Sequence, residues 1–134
     1  MRIALSLAAA LMLSVPAHAQ DDTRFIFTFD GDVDWPTNTA RLAETAHQRA
    51  EDIVDPAYVI CSGGSGETAR ERRREVRSAL ALAGAAPFRI LDAGVCDAQI
   101  TGRSRRAIGE NNVWLGLAPY QQVVEFVNRR LGGS

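Results

Sequence analysis

The sequence predicts an α/β sandwich of the α+β class, with helices packed on a mixed four-stranded sheet. Three observations predict this fold. Four short runs are rich in β-branched and aromatic residues, as strands are. Longer segments with apolar residues at helical spacing follow the first, second and fourth of these runs. The resulting order from residue 25 onward is β-α-β-α-β-β-α.

The first strand and the first helix are predicted from composition and spacing. Residues 25–29, Phe-Ile-Phe-Thr-Phe, have the aromatic and β-branched composition of a strand. Residues 37–39, Thr-Asn-Thr, offer N-cap side chains. Apolar residues then recur at helical spacing from Leu42 to Val54, and Pro56 is expected to end this helix.

The rest of the chain supplies three strands and two helices. The second strand, at residues 58–61, leads through a glycine-rich turn into a helix over residues 67–83. The third and fourth strands are predicted at residues 88–91 and 113–117, and a long polar loop at residues 95–112 separates them. A closing helix begins at Pro119 and ends at Gly132.

Residues 1–19 have the pattern of a secretory signal peptide. Arg2 supplies a positive charge, an apolar stretch of leucine and alanine follows, and Ala17-His18-Ala19 fits the small-x-small cleavage pattern. The apolar stretch is shorter than the roughly 20 residues of a membrane-spanning helix. We therefore expect cleavage after Ala19 and a periplasmic mature chain, residues 20–134, which forms one domain without a transmembrane segment.

The charge of the mature chain excludes one class of partner. Removal of residues 1–19 takes Arg2 away and leaves 14 arginines against 16 acidic residues, a formal charge of −2. Dedicated nucleic-acid binders carry a strong basic excess, so no nucleic-acid partner is expected. No complete metal or cofactor motif is present, and no cofactor is expected either.

The two cysteines of the chain, Cys61 and Cys96, predict a disulfide. An even pair of cysteines in an oxidising compartment indicates a structural bridge. Each lies at or just beyond the end of a predicted strand. Two free thiols and a redox pair are the alternatives, and the redox pair is disfavoured because the chain has no C-x-x-C motif.

The order of elements and several short motifs resemble the OmpA-like peptidoglycan-binding domain. The opening F-x-F-D of the family is matched by residues 27–30, and its arginine-rich second helix by residues 71–80. Counting back from Val76 aligns Arg72 with the invariant arginine of the family. Gly102-Arg103, ahead of the last strand, is similar to the closing G-R motif. The resemblance covers residues 25–117.

The resemblance implies a ligand site that is incomplete here. In the family, an aspartate in the loop after the second strand and the invariant arginine bind the charged groups of a diaminopimelate residue. In this chain the corresponding loop is shorter and consists of Gly63, Gly64, Ser65 and Gly66, so a glycine replaces the aspartate. An ammonium group needs a charged or multidentate acceptor. We therefore expect peptidoglycan binding to be weak or lost, unless Asp92 or Asp97 compensates in space.

Two catalytic or anion-binding alternatives also fit parts of the sequence. Asp30 and Asp32 after an apolar strand match the first motif of haloacid-dehalogenase phosphatases, although the mature chain has no lysine and is short for such an enzyme. The loop at residues 63–66 could bind an anion through its N–H groups. It lacks the spacing of a phosphate-binding loop, and a tight turn is the favoured interpretation.

The arginines form two groups, one expected on a solvated helix and the other expected to contact an anionic partner. The predicted second helix interleaves arginines such as Arg73 with glutamates, a mixture that is typical of a solvated helix. Three further arginines lie in the long loop without nearby acids and are candidate contacts for an anionic partner: Arg103, Arg105 and Arg106.

These observations favour an exported, non-enzymatic binding or scaffold protein of the cell envelope, with no catalytic residue. Its partner is expected to be peptidoglycan or another envelope protein. The alternatives are a small phosphohydrolase that uses Asp30 and Asp32, and a typical peptidoglycan binder that uses Arg72.

Overall fold

A computed structural model of the chain describes residues 22–31 and 34–132. The predicted signal peptide, residues 1–19, lies outside the described residues, as do Asp32 and Val33. No helix in the described part of the chain is long and apolar enough to cross a membrane.

The predicted fold class and the order of the main elements are confirmed. The chain forms β1 (Arg24–Thr28), α1 (Trp35–Ala50), β2 (Pro56–Ser62), α2 (Glu67–Ala83), β3 (Ile90–Val95), α3 (Ala98–Thr101), α4 (Arg105–Ile108), β4 (Asn112–Pro119) and α5 (Tyr120–Gly132). The strand order in the sheet is β1-β4-β2-β3. The sheet is mixed, because β4 pairs antiparallel with both β1 and β2 whereas β2 and β3 are parallel.

Each face of the sheet has its own cluster of buried side chains. On one face α1 and α2 cover the main core, which includes Phe27, Tyr58 and Leu115. The other face carries a smaller cluster formed by Cys61, Cys96, Ile108 and Trp114. The buried side chains divide into two clusters because successive residues of β1, β2 and β4 point to opposite sides of the sheet.

Several predicted boundaries are wrong. The side chain of Asp34 caps α1, so this helix begins before the predicted Thr-Asn-Thr caps, and it ends at Ala50, leaving Val54 87% exposed. The third strand begins at Ile90 because Pro87–Arg89 forms a 3₁₀ turn that leaves Phe88 71% exposed. A proline fixes φ near the value that such a turn requires.

The predicted long loop contains two short helices. The Asp97 side chain accepts hydrogen bonds from two backbone N–H groups at the start of α3, and the Ser104 side chain accepts one at the start of α4. Side-chain acceptors of this kind satisfy N–H groups that have no partner within the helix. The capping residues were present in the sequence, but helices of four residues are too short to show an apolar period.

Candidate functional site

The predicted disulfide is confirmed and lies beside the glycine-rich loop. The sulfurs of Cys61 and Cys96 are 2.06 Å apart, and both residues are buried. The backbone N–H of Cys96 also donates to the carbonyl of Ser62 over 2.8 Å. The bridge therefore joins the end of β2 to the residue that follows β3. The loop over residues 63–66 begins directly after β2.

The glycine-rich loop packs closely against the turn that precedes β4. A Cβ on Gly63 would lie 2.0 Å from the carbonyl oxygen of Gly109, and one on Gly64 would lie 2.5 Å from that of Glu110. The N–H of Gly63 donates to the carbonyl of Asn112 over 3.0 Å. The close backbone approach thus explains the two glycines, and the N–H of Gly63 already has a partner.

Ser65 and Gly66 lie at the exposed end of the same loop. Gly66 is the N-cap residue of α2, with a φ of 92°, and no side chain caps this helix. A φ in this region favours glycine. At the position where the resemblance implies an aspartate, the chain therefore has a backbone that suits glycine and no carboxylate.

Arg73 is buried beneath this loop, contrary to the expectation of a solvated helix. It is only 9% exposed, and its Nη1 donates to Oγ of Ser62 over 2.7 Å. The Ser62 hydroxyl in turn donates to the carbonyl of Gly64 over 2.7 Å. Nε of Arg73 lies 2.8 Å from Oδ1 of Asp92, an ion-pair contact in which the N–H is not aligned for a hydrogen bond.

The signal for this burial was present in the sequence. Ala69, Arg73, Val76 and Leu80 are the buried residues of α2, and they are spaced by four, three and four positions. This is the apolar stripe of an amphipathic helix with one arginine in it. A buried cation needs an ionic partner and hydrogen bonds, which Asp92 and Ser62 supply.

Arg72, the arginine that the resemblance singles out, lies next to Arg73 but has different partners. Its Nη1 donates to Oδ1 of Asn111 over 2.7 Å, and Nδ2 of Asn111 donates to Oδ1 of Asp30 over 3.1 Å. Its guanidinium carbon is 5.8 Å from the ring centroid of Phe29. We call Arg72, Asn111 and Asp30 the Arg72 chain. It presents a cation and an acid on one partly exposed surface.

The sequence does not predict that Asn111 and Asp30 are linked to Arg72 by hydrogen bonds. The sequence predicts Asp30 as a phosphatase residue, whereas in the structure its carboxylate accepts a hydrogen bond from the amide of Asn111. Asn111 belonged to the predicted loop and is 39 positions from Arg72. The register that pairs Thr28 with Asn112 brings these segments together, and no local pattern could have predicted that register.

The two acids that could have replaced the missing aspartate have other partners. Asp92 accepts from the N–H of Gly94 in addition to its contact with Arg73. Asp97 caps α3 with Oδ1, and its Oδ2 accepts from Nη2 of Arg130 over 3.1 Å. Desolvation alone would raise the pKa of Asp97, but the N–H of Ile100, the Arg130 guanidinium and a second backbone N–H together hold it below its usual range.

The three arginines predicted to meet an anionic partner are exposed. Arg103 precedes α4, and Arg105 and Arg106 form its first turn. Nε of Arg105 lies 3.4 Å from the carbonyl of Gly63, a long contact that places this side chain against the glycine-rich loop. Within the described residues, none of the three forms an ion pair with an acid.

Of the two aspartates that a phosphatase would use, the described residues include only Asp30. No group of three or more histidine, cysteine, aspartate or glutamate side chains there is placed to hold a metal ion. Asp30 is exposed. Its predicted catalytic companion, Asp32, lies outside the described residues, so the relation between the two carboxylates stays a prediction.

Among known proteins, a similarity is found to a solved structure. No protein-family model matches the chain, and no curated protein matches it in sequence. Among solved structures, the chain is similar to the OmpA-like domain of FopA1 from Francisella tularensis subsp. tularensis SCHU S4, with a TM-score of 0.43, 12% identity and coverage of 72% of each chain.

Proposed function

We propose that this chain is an exported, non-enzymatic binding domain of the cell envelope, and that its affinity for diaminopimelate-type peptidoglycan is weak or lost. The observation that carries the proposal is the 2.7 Å hydrogen bond from Arg72 to Asn111. This bond uses one of the five N–H donors of the arginine that the family resemblance assigns to the ligand. A carboxylate would have to share the guanidinium with Asn111 or displace it.

The energetic gain from that exchange is small. The bond from Arg72 to Asn111 already has a charged donor, so it falls in the same range as a bond to a carboxylate, about 1.5–3 kcal/mol. The net gain is then the attraction of a partly exposed ion pair, about 0–1 kcal/mol. Association also costs several kcal/mol of translational and rotational freedom. An affinity in the millimolar range or weaker is therefore expected from Arg72 alone.

The ammonium group of the ligand has no charged acceptor in the glycine-rich loop. Gly66 and Ser65 carry no charge, and a backbone N–H repels a cation. Burying an ammonium group without a charged or multidentate acceptor is costly. This is the second reason to expect weak binding.

One observation favours the alternative, a working peptidoglycan site. Asp30 is joined to Arg72 through Asn111, so an acid and an arginine border the same exposed surface. If Asn111 swings away, a zwitterion could place its carboxylate on Arg72 and its ammonium group on Asp30. The two hypotheses differ in one measurable respect, the contribution of Asp30.

A sacculus pull-down with the mature protein, residues 20–134, separates the two hypotheses. The variants are Arg72→Ala and Asp30→Asn, and the matched control is Arg74→Ala, because Arg74 is exposed on the same helix. Weak retention that neither variant changes supports the proposal. Tight retention that both variants abolish and Arg74→Ala preserves would contradict it and establish the alternative.

A further inference from the structure

The side-chain amide of Asn111 lies between a cation and an acid. Its Oδ1 accepts from Nη1 of Arg72 over 2.7 Å, and its Nδ2 donates to Oδ1 of Asp30 over 3.1 Å. A guanidinium only donates hydrogen bonds, and a carboxylate only accepts them. The chemistry of the two partners therefore fixes the orientation of the amide, because a flipped amide would set donor against donor and acceptor against acceptor.

The two charged groups are linked only through this amide. Among the described residues, neither Arg72 nor Asp30 forms an ion pair. The guanidinium carbon of Arg72 lies 5.8 Å from the ring centroid of Phe29, which is buried. The cation thus rests against a buried ring, and the residue after that ring supplies the acid. Asn111 fills the gap between them.

The backbone beneath Asn111 is held in place, whereas its side chain is exposed. The N–H of Asn112 donates to the carbonyl of Gly109 over 3.1 Å, and the carbonyl of Asn112 accepts from Gly63 over 3.0 Å. Asn112 also pairs with Thr28 in the sheet. Release of the Asn111 amide therefore needs rotation of an exposed side chain, a motion on the ps–ns timescale, and no movement of the turn.

An amide in this place resembles the zwitterionic centre of an amino acid. Its oxygen occupies the position of a carboxylate on Arg72, and its NH₂ group occupies the position of an ammonium group at Asp30. A zwitterion carries full charges where the amide carries a dipole, so it gains ion-pair attraction at both ends. The guanidinium also keeps further N–H donors for bidentate binding of a carboxylate.

We propose that Asn111 is an internal stand-in for a ligand, which holds a zwitterion site closed between Arg72 and Asp30. The site takes a ligand whose ammonium and carboxylate groups are attached to one carbon atom. In the wild-type protein such a ligand must displace the amide from both partners, and its apparent affinity is reduced by the fraction of open molecules. This inference rests on the proposed function, because it attributes the weak binding to competition within the chain.

NMR titration of the mature protein with diaminopimelate, which carries such zwitterionic centres, tests the role of Asn111. Asn111→Ala removes the amide. Asn38→Ala is the matched control, because Asn38 is also exposed and accepts from Nη1 of Arg41 over 3.3 Å. The ligand controls are pimelate, which lacks the ammonium groups, and cadaverine, which lacks the carboxylates. Circular dichroism checks that each variant keeps the fold.

We expect Asn111→Ala to bind diaminopimelate about five- to fiftyfold more tightly than wild type, as the loss of two competing hydrogen bonds predicts. Asn38→Ala should bind it as wild type does, and neither control ligand should show the gain. In the Asn111→Ala background, Arg72→Ala and Asp30→Asn should each return the affinity to the wild-type level or below. Asn111→Asp should show no gain, because its carboxylate keeps Arg72 occupied.

Three outcomes would overturn the proposal. The first is an Asn111→Ala affinity no higher than that of wild type, which includes the case in which Arg72 and Asp30 pair directly and close the site. The second is a gain that pimelate or cadaverine shares, and the third is a gain that survives Asp30→Asn.

The proposed function and the role of Asn111 can fail separately. Tight retention of the wild-type protein on sacculi refutes the proposed function, whatever Asn111→Ala binds. Weak wild-type retention together with no gain in Asn111→Ala refutes only the role of Asn111.

Discussion

Substitution of Gly63 by alanine tests the packing of the glycine-rich loop directly. The added Cβ would lie 2.0 Å from the carbonyl oxygen and 2.7 Å from the carbonyl carbon of Gly109. Both are backbone atoms, so no side-chain rotation can relieve the contact. Overpacking of this kind costs about 1–3 kcal/mol. Because 1 kcal/mol shifts the melting temperature of a domain of this size by about 4–8 °C, we expect a decrease of at least 4 °C.

The matched control is Gly31→Ala. Gly31 has no atom within 4 Å of its would-be Cβ and no positive φ, so its substitution should leave the stability unchanged or raise it by a few tenths of a kcal/mol. Thermal and urea unfolding of the mature protein measure both variants. Equal melting temperatures for Gly63→Ala and Gly31→Ala would refute the close approach of the loop to Gly109.

Four further results are expected, three from the mature chain and one from the predicted signal peptide. The double variant Cys61→Ser, Cys96→Ser should lose about 3–4 kcal/mol of unfolding free energy in the chain-entropy description of a bridge between residues 35 apart, and thiol titration of the unreduced wild-type protein should detect no free thiol. Asp97 has a lowered pKa, so the stability difference between wild type and Asp97→Asn should be present at pH 7 and should shrink as the pH falls below about 4, the unfolded value for aspartate; a difference that grows in acid would contradict this sign. Purified mature protein should show no Mg²⁺-dependent phosphatase activity, and turnover that Asp30→Asn abolishes would establish the phosphohydrolase alternative. Mass spectrometry of periplasmic protein should give an N-terminus at Gln20, and an intact Met1 would refute the predicted signal peptide.

The parts of the fold that were predictable are those encoded by local periodicity. The bounds of α2 were predicted correctly because apolar spacing begins after the glycine-rich turn and Gly84 ends the helix with a φ of 119°. The mixed sheet followed from the alternation of strands with helices. The short helices α3 and α4 escaped prediction because one turn has too few positions for a period, and only their caps, Asp97 and Ser104, mark them.

The candidate site was less predictable, because its side chains meet through sheet register. Cys61 and Cys96 could be paired from their count and from the expected compartment. Asn111 and Asp30 could not be assigned to Arg72, because their proximity depends on the pairing of β1 with β4.

The sequence alone does not establish which of the neighbouring arginines, Arg72 or Arg73, is buried and which could contact a ligand. Successive positions on a helix differ by about 100° in direction, so one arginine of such a pair faces the core when the other faces its rim. The motif count aligned Arg72 with a ligand, whereas the buried stripe made Arg73 the structural residue beneath the loop. Arg73 binds Ser62 and so stabilises the end of β2. Arg72 binds Asn111 and remains near the surface. Ligand binding at this end of the sheet therefore depends on whether Asn111 releases Arg72, and this is the step that the sacculus comparison of Arg72→Ala with Asp30→Asn measures.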